Sequence, residues 1–220
     1  MEKSNKVTSV TVSIAIVIGL AISNLLENYT NIPRIFNWII VFFISSTIYE
    51  FMYWLLSKMI NHFEVLLKLY WGKTYIKGYW SYTYMVNGEK KYGAWCIDQD
   101  IDGIKIKGFG ITKDGIRRSD VQSLTSLIER GNDYEVVNTR RDISDNGALS
   151  DSFYYSKTSL HMQQRDTFMN FFNYPLRMDG TTYIYGGLFS GMVHTQLTFV
   201  KHENAKNERD IEDIVKGMIP

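Results

Sequence analysis

A single cysteine, Cys96, stands among 220 residues, so no intrachain disulfide is available and nothing ties the fold to an oxidising compartment. Charge of neither sign is in excess: 24 lysines and arginines face 23 aspartates and glutamates. Beyond Gly72 the two signs balance at 19 each. A domain that tracks long DNA or RNA carries a basic surplus, because phosphate neutralisation supplies most of its affinity. A polymeric nucleic-acid partner is therefore not expected, whereas a small phosphate-bearing ligand needs only one or two arginines. G-x-S-x-G, P-loop and cysteine-cluster motifs are all missing. His161 with Asp166 has no accompanying nucleophile motif, and His194 and His202 lie eight residues apart, too far along one strand face for a shared metal. No catalytic group, metal or cofactor is expected, and Gly108-Phe109-Gly110 reads as a bend in a sheet rather than a phosphate loop.

Glycine is nearly missing from the first third, where only Gly19 precedes Gly72. What fills that third instead is two long apolar runs. Val7–Leu26 holds 20 residues without a charge, a helix of about 30 Å, the thickness of the hydrocarbon core. Ile35–Ser57 is interrupted only by Glu50, and Asn28, Asn31 and Pro33 break the chain between the runs. Trp38, Tyr49, Tyr53, Trp54 and Trp71 suit interfacial anchoring. A cleaved signal peptide is disfavoured, since the first run exceeds the usual length and a second follows directly. Lys3 and Lys6 before the first run, and Lys58, Lys68, Lys73 and Lys77 after the second, outnumber Arg34 between them. By the positive-inside rule this predicts a multi-pass protein of the inner membrane with cytosolic N- and C-termini. Glu50 lies about 22 Å along the second helix; it either snorkels to the interface or marks a helix–helix or pore-lining contact that acts on the membrane. No dense small-xxx-small pattern is read in the spans. The expected division is a two-helix anchor over residues 1–70 and a cytosolic domain over 71–220.

The second part reads as strands and tight turns. Tyr75–Val86 and Glu89–Gln99 flank Asn87-Gly88, a strong hairpin signal. Asp102-Gly103 leads to Ile104–Thr112, and Lys113-Asp114-Gly115 turns again. Val121–Arg130 and Tyr134–Asp142 form an expected pair, followed by Phe153–Leu160, Thr167–Asn173, Thr181–Phe189 and Met192–His202, with a short helix over Glu208–Lys216. Strands without helical crossovers predict a compact antiparallel up-and-down β-barrel of about eight strands, lipocalin-like, which holds one small ligand or fills with side chains.

Trp80 shares a strand face with Tyr82 and Tyr84, and Trp95 answers them from the next strand. Tyr183 lies near the end of the chain, and Arg140 and Arg141 alternate faces so that one points inward. Aromatic rings stack on nucleobases and arginine grips phosphate bidentately, which makes Trp80, Tyr82, Trp95, Arg140, Arg141 and Tyr183 the candidate ligand contacts. The competing role for each ring is core packing.

Two short-looped spans followed at once by this β domain resemble the CD-NTase-associated protein 15 family, two-transmembrane, β-strand-rich effectors of the bacterial anti-phage signalling systems called CBASS. The resemblance covers the whole chain and rests on the anchor, the opening strand KGYWSYTY (Lys77–Tyr84) and the closing pair TTYIYGGLFSGMVHTQLTFVK (Thr181–Lys201). It implies a barrel that senses a cyclic dinucleotide, then homo-oligomerises and damages the lipid bilayer to abort infection. Two other classes stay open: a membrane-tethered carrier of an apolar molecule, if the interior is aliphatic and dry, and a recruitment module, if the barrel is packed solid.

Overall fold

The computed structural model describes residues 4–29, 33–86, 88–130, 133–143, 149–163, 174–186 and 193–220. The chain divides into two compact units, Met1–Trp71 and Gly72–Pro220.

The first unit contains α1 (Ser4–Tyr29), α2 (Arg34–His62) and α3 (Glu64–Trp71). Val7–Asn28 and Arg34–His62 are both long and apolar enough to cross a bilayer, with mean hydropathies of 2.1 and 1.7. Hydroxyls inside these runs bond back to their own helix, as Thr11 does to the Val7 carbonyl (2.8 Å) and Thr47 to that of Phe43 (3.0 Å). Such bonds are what an apolar surrounding demands of a polar side chain. The buried face of α1 is Val7, Thr11, Ala15, Gly19 and Ser23, one residue every four. This is a small-xxx-small seam, and the sequence reading missed it. Its function is close approach: a Cβ on Gly19 would run into Ser45 Oγ and meet Val41 Cγ1 at 3.8 Å on α2. Phe63, extended at φ −97 and ψ 110, separates α2 from α3.

The second unit is an antiparallel barrel. Its strands are β1 (Gly78–Val86), β2 (Glu89–Gln99), β3 (Ile104–Ile111), β4 (Arg117–Ser123), β5 (Ile128–Arg130), β6 (Asp133–Ile143), β7 (Leu149–Gln163), β8 (Arg177–Gly186) and β9 (Val193–Lys201). Neighbours in sequence pair throughout, except that β4 pairs with β6 and β9 returns to β1, which closes eight strands and leaves β5 as a short extra pair on β6. Val121–Arg130 is therefore not one strand. It breaks after Ser123, and the Ser123 and Ser126 hydroxyls accept the Ile106 and Ile104 backbone N–H groups at 2.9 and 3.0 Å where a neighbouring strand would have done so. Thr167–Asn173 lies outside the described residues.

Period-2 alternation sets the core. Trp80, Tyr82 and Tyr84 of β1 pair with Trp95, Gly93 and Lys91 of β2 and with Lys201, Phe199 and Leu197 of β9, so all of these share the inner face. The bulk of Tyr82 and Trp95 is accommodated by glycine: a Cβ on Gly93 would strike the Tyr82 ring, and one on Gly108 would lie 2.7 Å from Trp95 Cδ1. Gly108 and Gly110 thus serve as clearance for rings, and the register shifts just after Gly110.

One end of the barrel is stopped by the chain that enters it. Tyr75 and Ile76 are buried, and the Gln99 side chain, with no exposure, accepts the Ile76 and Lys77 backbone N–H groups (2.7 and 2.9 Å) and donates to the Thr74 carbonyl (3.0 Å). Tyr75–Lys77 therefore forms a plug rather than the start of β1. Outside the barrel, α4 (Glu208–Gly217) is capped by Asn207 Oδ1, which accepts the Asp210 N–H at 3.0 Å. Its Ile211 and Val215 cover Tyr92, Ala94, Phe109 and Ile111 on the outer face of β2 and β3.

Candidate functional site

Four of the six candidate ligand contacts point inward. Trp95 and Phe199 pack with ring centroids 4.5 Å apart, Tyr82 lies 5.5 Å from Phe199, and Trp80 is fully buried beside the plug. The fourth is Arg140, at the end opposite the plug, where its Nη1 donates to Tyr84 Oη at 2.8 Å and its Nε lies 3.5 Å from Asp142 Oδ1. Tyr154 Oη donates to the other Asp142 oxygen at 2.8 Å. Burial alone would lower the Arg140 pKa, but the Tyr84 and Tyr82 oxygens and Asp142 outweigh it and raise it, so the charge is fixed. Burial likewise pushes the Tyr82 phenol up, helped by Tyr84 and opposed by Arg140. Ser119 Oγ, Asn138 Oδ1 and Arg140 Nε are buried in this layer without hydrogen-bond partners among the described residues, and Thr158 and Thr182 satisfy one another at 3.0 Å.

The space left among these groups is about 40 Å³, between Tyr82, Tyr84, Trp95, Arg140 and Tyr154. That admits a water or two, against the roughly 300–1,000 Å³ of a ligand pocket. The interior rings are packed as core, and Arg140 stands at the polar end of the barrel with 28% of its side chain exposed.

The remaining two candidates face outward. Tyr183 pairs with Lys157 and His194 on the outer face, its ring 4.8 Å from that of His194. Arg141 is exposed and pairs with Asp120 across β4. It stands over a groove of about 550 Å³ on the outer wall, lined among others by Lys107, Arg117, Gln122, Thr139, Tyr155 and Glu208. Register alone could not have revealed this groove, because it arises where β4 leaves β3 early and α4 begins, at Glu208, beside the gap. Its two carboxylates are both taken by Arg117, which donates from Nε to Asp120 (2.9 Å) and from Nη1 to Glu208 (2.5 Å). Burial would lower the Arg117 pKa, but these two bonds raise it. Cys96 also lines the groove; burial, with Glu208 adding and Arg117 opposing, pushes its thiol up to about 11.

Among the described residues no group of three His, Cys, Asp or Glu side chains is placed to hold a metal ion. Glu50 is exposed on α2. Compared with known proteins, the chain matches no family model and no curated protein.

Proposed function

We propose that this chain is a membrane-anchored sensor: the barrel binds a cyclic dinucleotide in the cytosol, and the bound chains gather through their spans and breach the bacterial inner membrane, without catalysis. The observation that carries this reading is a concentration of arginine on two paired strands. Arg117 and Arg118 on β4 and Arg140 and Arg141 on β6 are four of the nine arginines in the chain, in a domain whose charges balance overall; Arg141 faces outward and Arg140 inward. Guanidinium groups are the side chains best suited to hold phosphate. The two long apolar helices support the effector half, because a binding domain alone has no need of them.

A second reading, a recruitment module, draws support from the filled interior, since a barrel with about 40 Å³ left inside has room for protein partners on its surface only. The same figure weighs against a carrier of apolar molecules.

The experiment is co-expression of the full chain with a cyclic-dinucleotide synthase, reading membrane potential with a voltage-sensitive dye. Depolarisation is expected only with an active synthase. A chain lacking residues 1–70 should leave the potential intact; if the span-deleted chain still kills, membrane damage is not the mechanism. No response to any synthase would favour the recruitment module.

A further inference from the structure

Two sides of α2 are built differently. Asn37 and Val41 are buried, and Val41 and Ser45 lie against Gly19, so α1 occupies that side. Half a turn away runs a second row, Phe36, Ile39, Phe43, Ser46 and Glu50, spaced alternately by three and four residues, and every member is exposed. That spacing is the 3.5-residue repeat along which helices pack on one another. Of the exposed residues between Ile35 and Trp54, those bearing a hydroxyl or a charge are Ser46, Thr47 and Glu50, and all three lie on this second side.

Lipid cannot serve such groups. Ser46 and Glu50 lie about 17 and 22 Å along the apolar run that begins at Ile35, within a hydrocarbon core of about 30 Å. Thr47 satisfies its hydroxyl on its own helix, at the Phe43 carbonyl (3.0 Å); among the described residues Ser46 and Glu50 have no such bond. A carboxyl in hydrocarbon calls for a hydrogen-bonding partner from protein or water, and α1 is on the opposite side. A second copy supplies that partner at the right depth. Two copies in one membrane share their orientation, so two α2 helices meet in parallel with like residues level. Helical side chains point back toward the N-terminus, which carries the Glu50 carboxyl about one turn back, to the level of Ser46 on the facing helix. Two-fold symmetry then makes the contact twice, each carboxyl accepting from the other copy's Ser46 hydroxyl.

We propose that this side of α2, from Phe36 to Glu50, is where a second copy of the chain docks, as a parallel helix pair held by reciprocal Ser46–Glu50 hydrogen bonds. The inference rests on the effector reading in taking α2 as a membrane span, and it names the surface through which the chains gather.

The test is disulfide trapping of the full-length chain in native membranes, in a Cys96→Ser background, beside an active or an inactive cyclic-dinucleotide synthase. Phe43→Cys lies on the row; Phe42→Cys, similarly exposed and about 100° away, is the control. Resistance to alkaline extraction confirms that each variant is inserted. Mild oxidation should link Phe43→Cys into dimers and leave Phe42→Cys monomeric. Adding Glu50→Leu or Ser46→Ala to Phe43→Cys should lower dimerisation roughly 3- to 20-fold for each bond removed, the range for hydrogen bonds between membrane helices. Trapping that needs the active synthase supports the docking face and the sensor together. Equal trapping beside the inactive synthase supports the face and overturns ligand control of assembly. Depolarisation by the active synthase with dimers linked through Phe42→Cys, or with Phe43→Cys dimers that ignore both added substitutions, overturns the face and leaves the sensor standing. Absence of cross-links at both positions overturns the face.

Discussion

Trp80 donates its indole N–H to the Ile76 carbonyl at 2.8 Å, which ties the first inward ring of the barrel to the chain that stops its end. Trp80 is fully buried and Lys201 Nζ lies 5.7 Å from its ring centre, so both faces and the polar handle are occupied by the protein itself. The ring's role is structural closure. Trp80→Ala should cost about 3–5 kcal/mol of stability, seen as a lower urea midpoint, whereas Trp80→Phe should lose only the hydrogen bond and part of the ring.

Gln99 gives the sharper test of the plug. Its amide serves three backbone groups of Thr74, Ile76 and Lys77, and Gln99→Ala strands them in a place water reaches poorly. At about 1–3 kcal/mol for each buried group left unsatisfied, the variant should lose at least as much as Trp80→Phe. A midpoint within error of wild type would mean that Thr74–Lys77 does not hold the barrel shut.

Much of the barrel was legible because hairpin chemistry and alternation are local. Glycine follows Asn87 and Asp102 where the chain must turn, and Gly88 takes φ 78 there. What stayed illegible depends on closure. Alternation establishes that Arg140 and Arg141 face opposite ways, but which one is inside follows from β6 pairing with β4, a contact that no local pattern encodes. Tyr75 and Ile76 are apolar and β-prone whether they pair in a sheet or plug its end. The β4 break hides likewise, because Ser123 and Ser126 replace a strand by side-chain hydroxyls. Tyr183 shows the same limit: its aromatic ring lies on the outer face opposite to that of Tyr82.

Gly108 follows from this packing. With Trp95 Cδ1 only 2.7 Å from the place a Cβ would take, and the Ala94 carbonyl closer still, neither neighbour can retreat within a filled barrel. Gly108→Ala should destabilise by about 1–3 kcal/mol through overpacking. Thermal unfolding of the variant measures this, and pairing it with Trp95→Phe tests the cause, since the smaller ring should restore part of the loss.

His202 supplies an acid-sensitive term. Its Nε2 lies 2.7 Å from Ser81 Oγ, and burial lowers its pKa. The folded chain therefore binds fewer protons at this site than the unfolded chain. Its stabilising contribution is fully present above the ordinary histidine value of about 6.5 and is lost as pH falls from there through the lowered folded value. Urea midpoints between pH 7.5 and 5 should fall more steeply for wild type than for His202→Asn. Parallel curves would show that the site does not titrate with unfolding.

The spans carry a prediction about which face does what. Gly19 packs against Ser45 and Val41, so Gly19→Cys combined with Ser45→Cys, in a Cys96→Ser background, should form an intrachain disulfide on mild oxidation; Ile16→Cys with Phe43→Cys, both on exposed faces, should not. Glu50 lies on the far side of α2, because nine residues from Val41 at about 100° each come to two and a half turns. No group on the α1-facing seam can therefore satisfy its carboxylate, and with α2 in a bilayer it would meet either lipid or another chain. Under the proposed effector role, two helices cannot enclose a water path, so leakage would require several chains, whose clustered carboxylates would draw water between them. Glu50→Leu should then leave the Gly19–Ser45 cross-link unchanged while lowering leakage, read as dye release from vesicles containing activated protein. Equal leakage from Glu50→Leu and wild type would remove Glu50 from the mechanism and leave bilayer damage to the spans' bulk alone.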